Sequence, residues 1–274
     1  RDALRQTIAQ RLTQAGEKAT PVRIEAQIDA LERAAAAHSL LRDLRALGCT
    51  AEYLPCDVTD PAAVQALFQR ITTAEGHVDV ILHAAGIDHS KLLESKTPED
   101  FRRVFATKVT GFFNLIQAMR VLPQSPRAVV AFSSVAGRFG NAGQTDYAAA
   151  NDLLNKLCTA LPASFPRTRF LAIDWGAWAQ VGMASRGSLP QIMQRAGIEM
   201  LAPESAAPLL RQELLAEARR EVLLAGALGM LSRPRDRDGG LDLERANHAL
   251  VEGKPAHVML ARLSGLDLYR GIIL

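Results

Sequence analysis

Ser134, Tyr147 and Asn151 fall in one short stretch of the chain, and Lys108 lies upstream of it. Tyr147 follows Ser134 by thirteen residues and Asn151 follows Tyr147 by four, so the tyrosine and the asparagine share a helical face. A phenol held beside a reacting oxygen can act as a general acid. Its ordinary pKa of about 10 is too high for fast proton exchange near neutrality, and a nearby ammonium lowers it by favouring phenolate. Two further features follow apolar strands: Ala84-Ala85-Gly86 after His83, and Trp175-Gly176-Ala177-Trp178 after Asp174. A lone serine or tyrosine in such a place is usually a turn or packing residue. The four polar groups together are what point to chemistry.

The elements that must carry these residues are legible as periodicity. Leu4, Ile8 and Leu12 predict a helix over 2–15. Thr20 and Pro21 start a second helix, striped by Ile24, Ile28, Leu31, Ala35 and Leu41 and ended near Gly48. Strands are then expected at 52–57, 78–83, 128–133, 169–174 and 221–225. Helices are expected at 60–73, 97–119, 143–161 and 203–218, with a helical excursion at 183–197. Alternating apolar strands and amphipathic helices imply an α/β fold, a doubly wound parallel sheet covered on both faces. Such a sheet puts its ligand site beyond the carboxyl ends of its strands.

Composition narrows the function classes. With 48% hydrophobic and 22% charged residues among 274, a packed globular core is expected. No apolar run approaches the roughly 18 residues of a membrane span, so no membrane partner is expected. The net charge of +3 comes from acids and bases mixed along the chain, without the basic stripe of a nucleic-acid binder. Cys49, Cys56 and Cys158 are odd in number and widely spaced, which predicts buried reduced thiols in a cytoplasmic protein. The histidines form no ligand-spaced cluster with them, and no metal site is expected.

The segment Phe-Ser-Ser-Val-Ala-Gly-Arg-Phe-Gly-Asn-Ala-Gly-Gln-Thr-Asp-Tyr, followed by Ala-Ala-Ala-Asn151, resembles the active-site segment of short-chain dehydrogenases. More narrowly, it resembles the ketoreductase domains of polyketide and polyunsaturated fatty acid synthases. Single-domain members usually carry lysine four residues after the tyrosine and asparagine on the earlier helix. The synthase ketoreductases exchange the two, as this chain does with Lys108 in Thr-Lys-Val-Thr-Gly and Asn151 after Tyr147. Cys56-Asp57-Val58-Thr59-Asp60, His83-Ala-Ala-Gly86 and Asp174-Trp-Gly-Ala-Trp178 fall in the family's order, so the resemblance covers roughly residues 1–230.

The resemblance implies a Rossmann-like fold and NADPH-dependent reduction of a β-ketoacyl thioester, carried on the phosphopantetheine of an acyl carrier protein, within a larger synthase. Tyr147 would be the proton donor, Lys108 the charge that tunes it, Ser134 the donor that holds the carbonyl, and Asn151 a residue that orients Lys108 or a relay water. Asp57 and Val58 would lie near the adenine, and Ala84, Ala85 and Gly86 beside the ribose. Lys108 and Tyr147 would hold the nicotinamide ribose, with Gly176 and Ala177 beside the ring.

The chain departs from the family at its N-terminal end, and also at Asp88-His89-Ser90, where many polyketide ketoreductases carry Leu-Asp-Asp, and at Phe139, where others carry tryptophan. No Gly-x-Gly-x-x-Gly occurs between Arg1 and Asp57, so the N-terminal strands and the glycine-rich phosphate loop are expected upstream of Arg1. The expected organisation is a ketoreductase domain over 1–231, truncated at its N-terminus, a linker over 232–241, and a tail over 242–274 that faintly resembles the start of a dehydratase-like domain. Two other functions compete: a non-catalytic scaffold domain of a synthase, and a free-standing short-chain alcohol dehydrogenase.

Overall fold

A computed structural model describes residues 1–185, 189–216 and 219–229. The expected linker, with Arg233, Arg235 and Arg237, and the expected tail lie outside the described residues. The chain divides into two compact units, Arg1–Asp57 and Val58 onward.

The first unit is a pair of helices, α1 (Asp2–Gln14) and α2 (Pro21–Ala46). Thr20 caps α2 by accepting from the Arg23 N–H, and Pro21 takes the first helical position, as its lack of an N–H allows. Ile8, Leu12 and Ile28 form the core, with Leu4, Ala19 and Ile24 packed around them. Arg5 bonds Glu25 at 2.6 Å across the pair. The apolar stripe expected on α2 is only partly used, because Leu31 is 51% exposed. With 13 residues against 26, α1 is half the length of α2 and has less face to offer.

The 52–57 segment is not a strand. It has no regular secondary structure, and a strand exists only by pairing into a sheet. Of the three cysteines, all free, Cys158 is buried, Cys56 is half-buried and Cys49 is exposed, which corrects the expectation that all three are buried.

The second unit is built on four parallel strands in the order β1 (Val80–His83), β2 (Ala128–Ser134), β3 (Arg169–Trp175) and β4 (Glu221–Leu224). Before β1 comes α3 (Pro61–Glu75), capped by Asp60 Oδ1, which accepts from the Ala62 and Ala63 N–H groups. It ends at Gly76, whose φ of +79° few other residues adopt cheaply. Between β1 and β2 run α4 (Pro98–Phe105) and α5 (Gly111–Met119). Thr97 and Asp100 start α4 with a reciprocal capping box.

The long helix expected over 97–119 is interrupted between these two by a π-helical turn at Ala106–Thr110, which holds Lys108. After β2 come the short α6 (Val135–Phe139) and α7 (Thr145–Ala160). After β3 come α8 (Leu189–Arg195) and α9 (Pro203–Leu215). The expected excursion over 183–197 is a short 3₁₀ turn at Met183–Ser185 and then α8.

Every β2 residue from Ala128 to Ala131 is buried, as a central parallel strand requires. On one face of the sheet, Phe112 of α5 is fully buried with its ring 5.6 Å from that of His83. On the other, Ala206, Leu210 and Leu214 of α9 pack with Val130, Leu171, Ile173 and Val222. This second cover stops short of the edge strand, where Val80 and Leu82 are 44% and 49% exposed. Coverage of both faces therefore holds for the middle of the sheet and not for β1. Phe112→Ala is expected to destabilise the protein by about 3–5 kcal/mol, read from the midpoint of denaturant unfolding at unchanged m-value.

Candidate active site

Parallel strands aim their carboxyl ends one way, and three of them deliver the candidate residues there. β1 ends at His83 and hands on to Ala84-Ala85-Gly86; β2 ends at Ser134; β3 ends at Trp175. The register pairs Ser133 with Asp174 and Ser134 with Trp175, so these ends are level. Successive strand residues face opposite ways. Ser133 therefore turns towards α7, donating its hydroxyl to the Asn151 carbonyl at 3.2 Å. Ser134 turns the other way and caps α6, accepting from the Ala136 N–H at 3.2 Å.

Tyr147 and Asn151 stand one turn apart on α7, and both are buried. Asn151 Nδ2 donates to the Tyr147 carbonyl at 2.7 Å, which fixes the carboxamide, and its Oδ1 has no hydrogen-bond partner among the described residues. A buried acceptor of this kind requires an explanation. The α7 axis lies close to α6: a Cβ added at Gly137 would come within 2.9 Å of Asn151 Cβ.

Lys108 is 3% exposed. The π turn sets its direction, as such turns often do at functional positions. Its Nζ donates to the Phe132 carbonyl at 2.8 Å and sits 5.4 Å from the centre of the Tyr147 ring. The His83 ring is buried beneath the turn, and its Nε2–H donates to the Lys108 carbonyl at 2.8 Å. Burial pushes the His83 pKa down to about 4, so the ring is neutral and structural. Gly86 leaves the space Lys108 needs: a Cβ there would lie 3.1 Å from Lys108 Cε and 3.3 Å from Nζ.

Burial lowers the Lys108 ammonium to about 8. It also raises the Tyr147 phenol, and the Asp88 carboxylate adds to that rise; Ser134 and Asn151 act the other way and are outweighed. The expected depression of Tyr147 by Lys108 is therefore not what these side chains produce on their own. The ammonium is directed to the Phe132 carbonyl, and desolvation of the phenol dominates.

The other expected contacts come from separate segments of the chain. Asp57 is exposed and closes the first unit; Val58 opens the second. Val58 is held by Asn114, whose Nδ2 donates to its carbonyl at 2.9 Å, and it fills the space over Gly111. Ala84 is exposed and Ala85 half-buried at the end of β1. Gly176 has a packing reason to be glycine, since a Cβ would come within 2.8 Å of Ala225 Cβ. The Ala177 carbonyl accepts from the Leu201 N–H at 2.8 Å. Trp175 is a core residue, edge-on to Trp178 at 4.9 Å. Met183 packs beside Tyr147, Val104, Ala136 and Ile87.

Sequence reasoning missed how firmly the 88–96 loop is tied to α7. Gln144 Nε2 donates to Asp88 Oδ2 at 2.9 Å, the Lys91 N–H to the Gly143 carbonyl at 2.9 Å, and Lys96 Nζ to Asp146 Oδ1 at 2.7 Å. These partners lie about fifty residues apart, beyond the reach of any spacing rule. The one local signal is an aspartate in the first turn of a helix, immediately before Tyr147.

With this geometry in view, comparison with known proteins is decisive. The family model of the KR domain matches residues 3–180. The chain belongs to the ketoreductase (KR) domain family. It is 33% identical over 210 residues, 76% of this chain, to a polyunsaturated fatty acid synthase polypeptide of a Thraustochytrium species. It is 35% identical over 189 residues, 67% of this chain, to the polyketide synthase GfsB of Streptomyces halstedii. The matched regions are 7% and 3% of those proteins' lengths. Among solved structures it is similar to PlmKR1, the ketoreductase from the first module of phoslactomycin biosynthesis in Streptomyces sp. HK803. There the TM-score is 0.64 at 29% identity, covering 69% of this chain and 42% of that one. KR domains are short-chain-dehydrogenase-type oxidoreductases that use a nicotinamide cofactor, and the expected Rossmann-like α/β fold stands.

Lys108→Met tests the cost of the buried ammonium. A folded-state pKa of about 8 against 10.5 in the unfolded chain means the unfolded chain holds more protons in that interval. The penalty is therefore full below pH 8 and fades as pH rises towards 10.5. The variant is expected to be more stable than the parent near neutrality, with the difference shrinking across that window in pH-dependent denaturant melts.

Proposed function

We propose that this ketoreductase domain reduces a β-ketoacyl thioester, presented on the phosphopantetheine arm of an acyl carrier protein, to the β-hydroxyacyl thioester with NADPH as donor. The observation that carries the reading is the meeting of Ser134, Tyr147, Lys108 and Asn151 at the carboxyl ends of parallel strands. The larger synthases of the matched relatives supply the context: the carrier protein and the neighbouring synthase domains are the proposed partners.

When bound, NADPH supplies the hydride that reaches the ketone carbon. Charge then gathers on the carbonyl oxygen, and the protein's residues answer it. Ser134 holds that oxygen with its hydroxyl. The Tyr147 phenol donates the proton, and burial keeps the phenol protonated until it is needed. Lys108 stabilises the phenolate left behind. The open acceptor at Asn151 Oδ1 fits a water that returns the proton from solvent. Lys108 and Tyr147 would hold the nicotinamide ribose beside the narrow space left by Gly86. Asp57 and Val58 would serve the adenine, Ala84 and Ala85 the ribose side, and Gly176 and Ala177 the ring. The residues present fit the nicotinamide end of the cofactor. Residues 1–57 contain no glycine-rich strand-to-helix turn for the phosphates.

The competing reading is a non-catalytic scaffold. A scaffold has no use for an ammonium buried at a cost beside a buried phenol. The test is NADPH oxidation by the protein with a short β-ketoacyl thioester, with NADPH titration alongside. Turnover is expected, and Tyr147→Phe is expected to cut kcat by about 10²–10⁴-fold with little change in KM. Turnover indifferent to Tyr147→Phe overturns the proposal, and absence of both binding and turnover supports the scaffold.

A further inference from the structure

Lys96 and Asp146 form an ion pair that the proposed chemistry does not use. Their side chains are 2% and 1% exposed, and Nζ lies 2.7 Å from Oδ1. Two unlike charges taken this far out of water recover their desolvation only with good geometry and further hydrogen bonds. The further bonds are present at Nζ and Oδ1, while the buried Asp146 Oδ2 has no hydrogen-bond partner among the described residues. Asp146 Oδ1 also accepts from the Tyr147 N–H at 2.9 Å, and Lys96 Nζ also donates to the His89 carbonyl at 3.1 Å. The same carboxylate oxygen thus takes one bond from the ammonium and one from the backbone of the proposed proton donor.

The placement is selective. Gln144, at the N-cap of α7, makes no side-chain capping bond, so the first turn of the helix lacks the usual means of fixing its free N–H groups. Asp146 supplies an internal substitute, and Lys96 anchors it. Lys96 in turn belongs to the loop that carries Asp88, whose carboxylate raises the Tyr147 phenol. The loop reaches α7 through Gln144 and Gly143 as well, but these contacts lie on exposed or half-buried residues. Only Lys96–Asp146 is sealed from water, so among them it alone is not weakened by solvent competition.

We infer that the buried Lys96–Asp146 pair is the positioning device of the active site: it locks the first turn of α7 to the 88–96 loop and thereby sets the Tyr147 phenol for proton transfer. Neither residue is catalytic, since both act through Tyr147. The inference rests on the reduction proposed above for its kinetic arm and is independent of it for its structural arm.

The test uses Lys96→Met, Asp146→Asn and the double variant in the full protein. Amide hydrogen exchange is read by mass spectrometry on the peptide spanning 145–151 and on peptides from β2 and β3. In parallel, kcat and KM are measured for a short β-ketoacyl thioester. Lys96→Met is expected to raise exchange in the 145–151 peptide, leave the strands at parental protection, and lower kcat about tenfold with KM within about twofold. The double variant retains a carboxamide acceptor for the Tyr147 N–H and buries no lone charge. It is expected to lose less than the sum of the single losses, the signature of a coupled pair. Unchanged exchange at 145–151 overturns the inference, as does exchange gained evenly across the strands with kcat and KM both impaired. If the parent protein shows no turnover, the reduction proposal falls, and the exchange arm still decides whether the pair holds α7.

Discussion

A primary ammonium held almost entirely away from water is the constraint around which the second unit is arranged. Desolvation penalises the charge on Lys108, and the protein answers with fixed partners instead of solvent. The Phe132 carbonyl accepts from Nζ, the face of Tyr147 lies within reach, and the aliphatic stem passes over a glycine that leaves it room. The backbone bearing Lys108 is itself unusual, a π turn between two α-helical segments, and a neutral histidine from the first strand holds its carbonyl from below. Removing any of these partners leaves the charge less well compensated. They also explain why a strand end as ordinary as His83 carries a buried polar ring.

The phenol obeys the same physics with the opposite sign. Burial favours its neutral form, and the nearby carboxylate of Asp88 reinforces this. A proton donor that keeps its proton until a neighbouring oxygen becomes more basic is suited to its task. The two groups therefore are each biased towards neutrality by one cause, removal from water. They differ in the direction of response: the lysine is pushed down and the tyrosine up, so at neutral pH the phenol holds its proton more firmly and the ammonium less firmly than either does in water.

Much of this was legible in the sequence. Ser134, Tyr147 and Asn151 announced themselves because their spacing is local, set by one strand end and one helical turn. Lys108 was legible by resemblance, but the π turn that aims it was not, since its apolar pattern continues that of the flanking helix. The 52–57 segment, expected as a strand, forms none among the described residues, because an apolar run between polar ends cannot supply a neighbour to pair with. Leu31 on α2 failed for a related reason: an apolar stripe is longer than the partner that covers it. The links between the 88–96 loop and α7 were invisible, being contacts between residues distant in sequence whose types, lysine and aspartate, otherwise read as ordinary surface charge. The upward shift of Tyr147 is not readable from the motif, because neighbouring charge is visible there and degree of burial is not.

The adjacent serines at the end of β2 carry one more consequence. Ser133 ties α7 to the sheet through the Asn151 carbonyl, and Ser134 turns away from it towards the phenol. Their duties are divided solely by strand alternation. A single residue added or deleted within β2 would exchange the two hydroxyls' faces, leaving a serine at both places yet reversing which one reached the helix and which the reaction centre. Length variation between the strand's start and Ser134 is thus forbidden even where composition is free. The loops beyond the sheet carry no such parity, so changes in chain length can be accommodated there without altering the handing of the two serines.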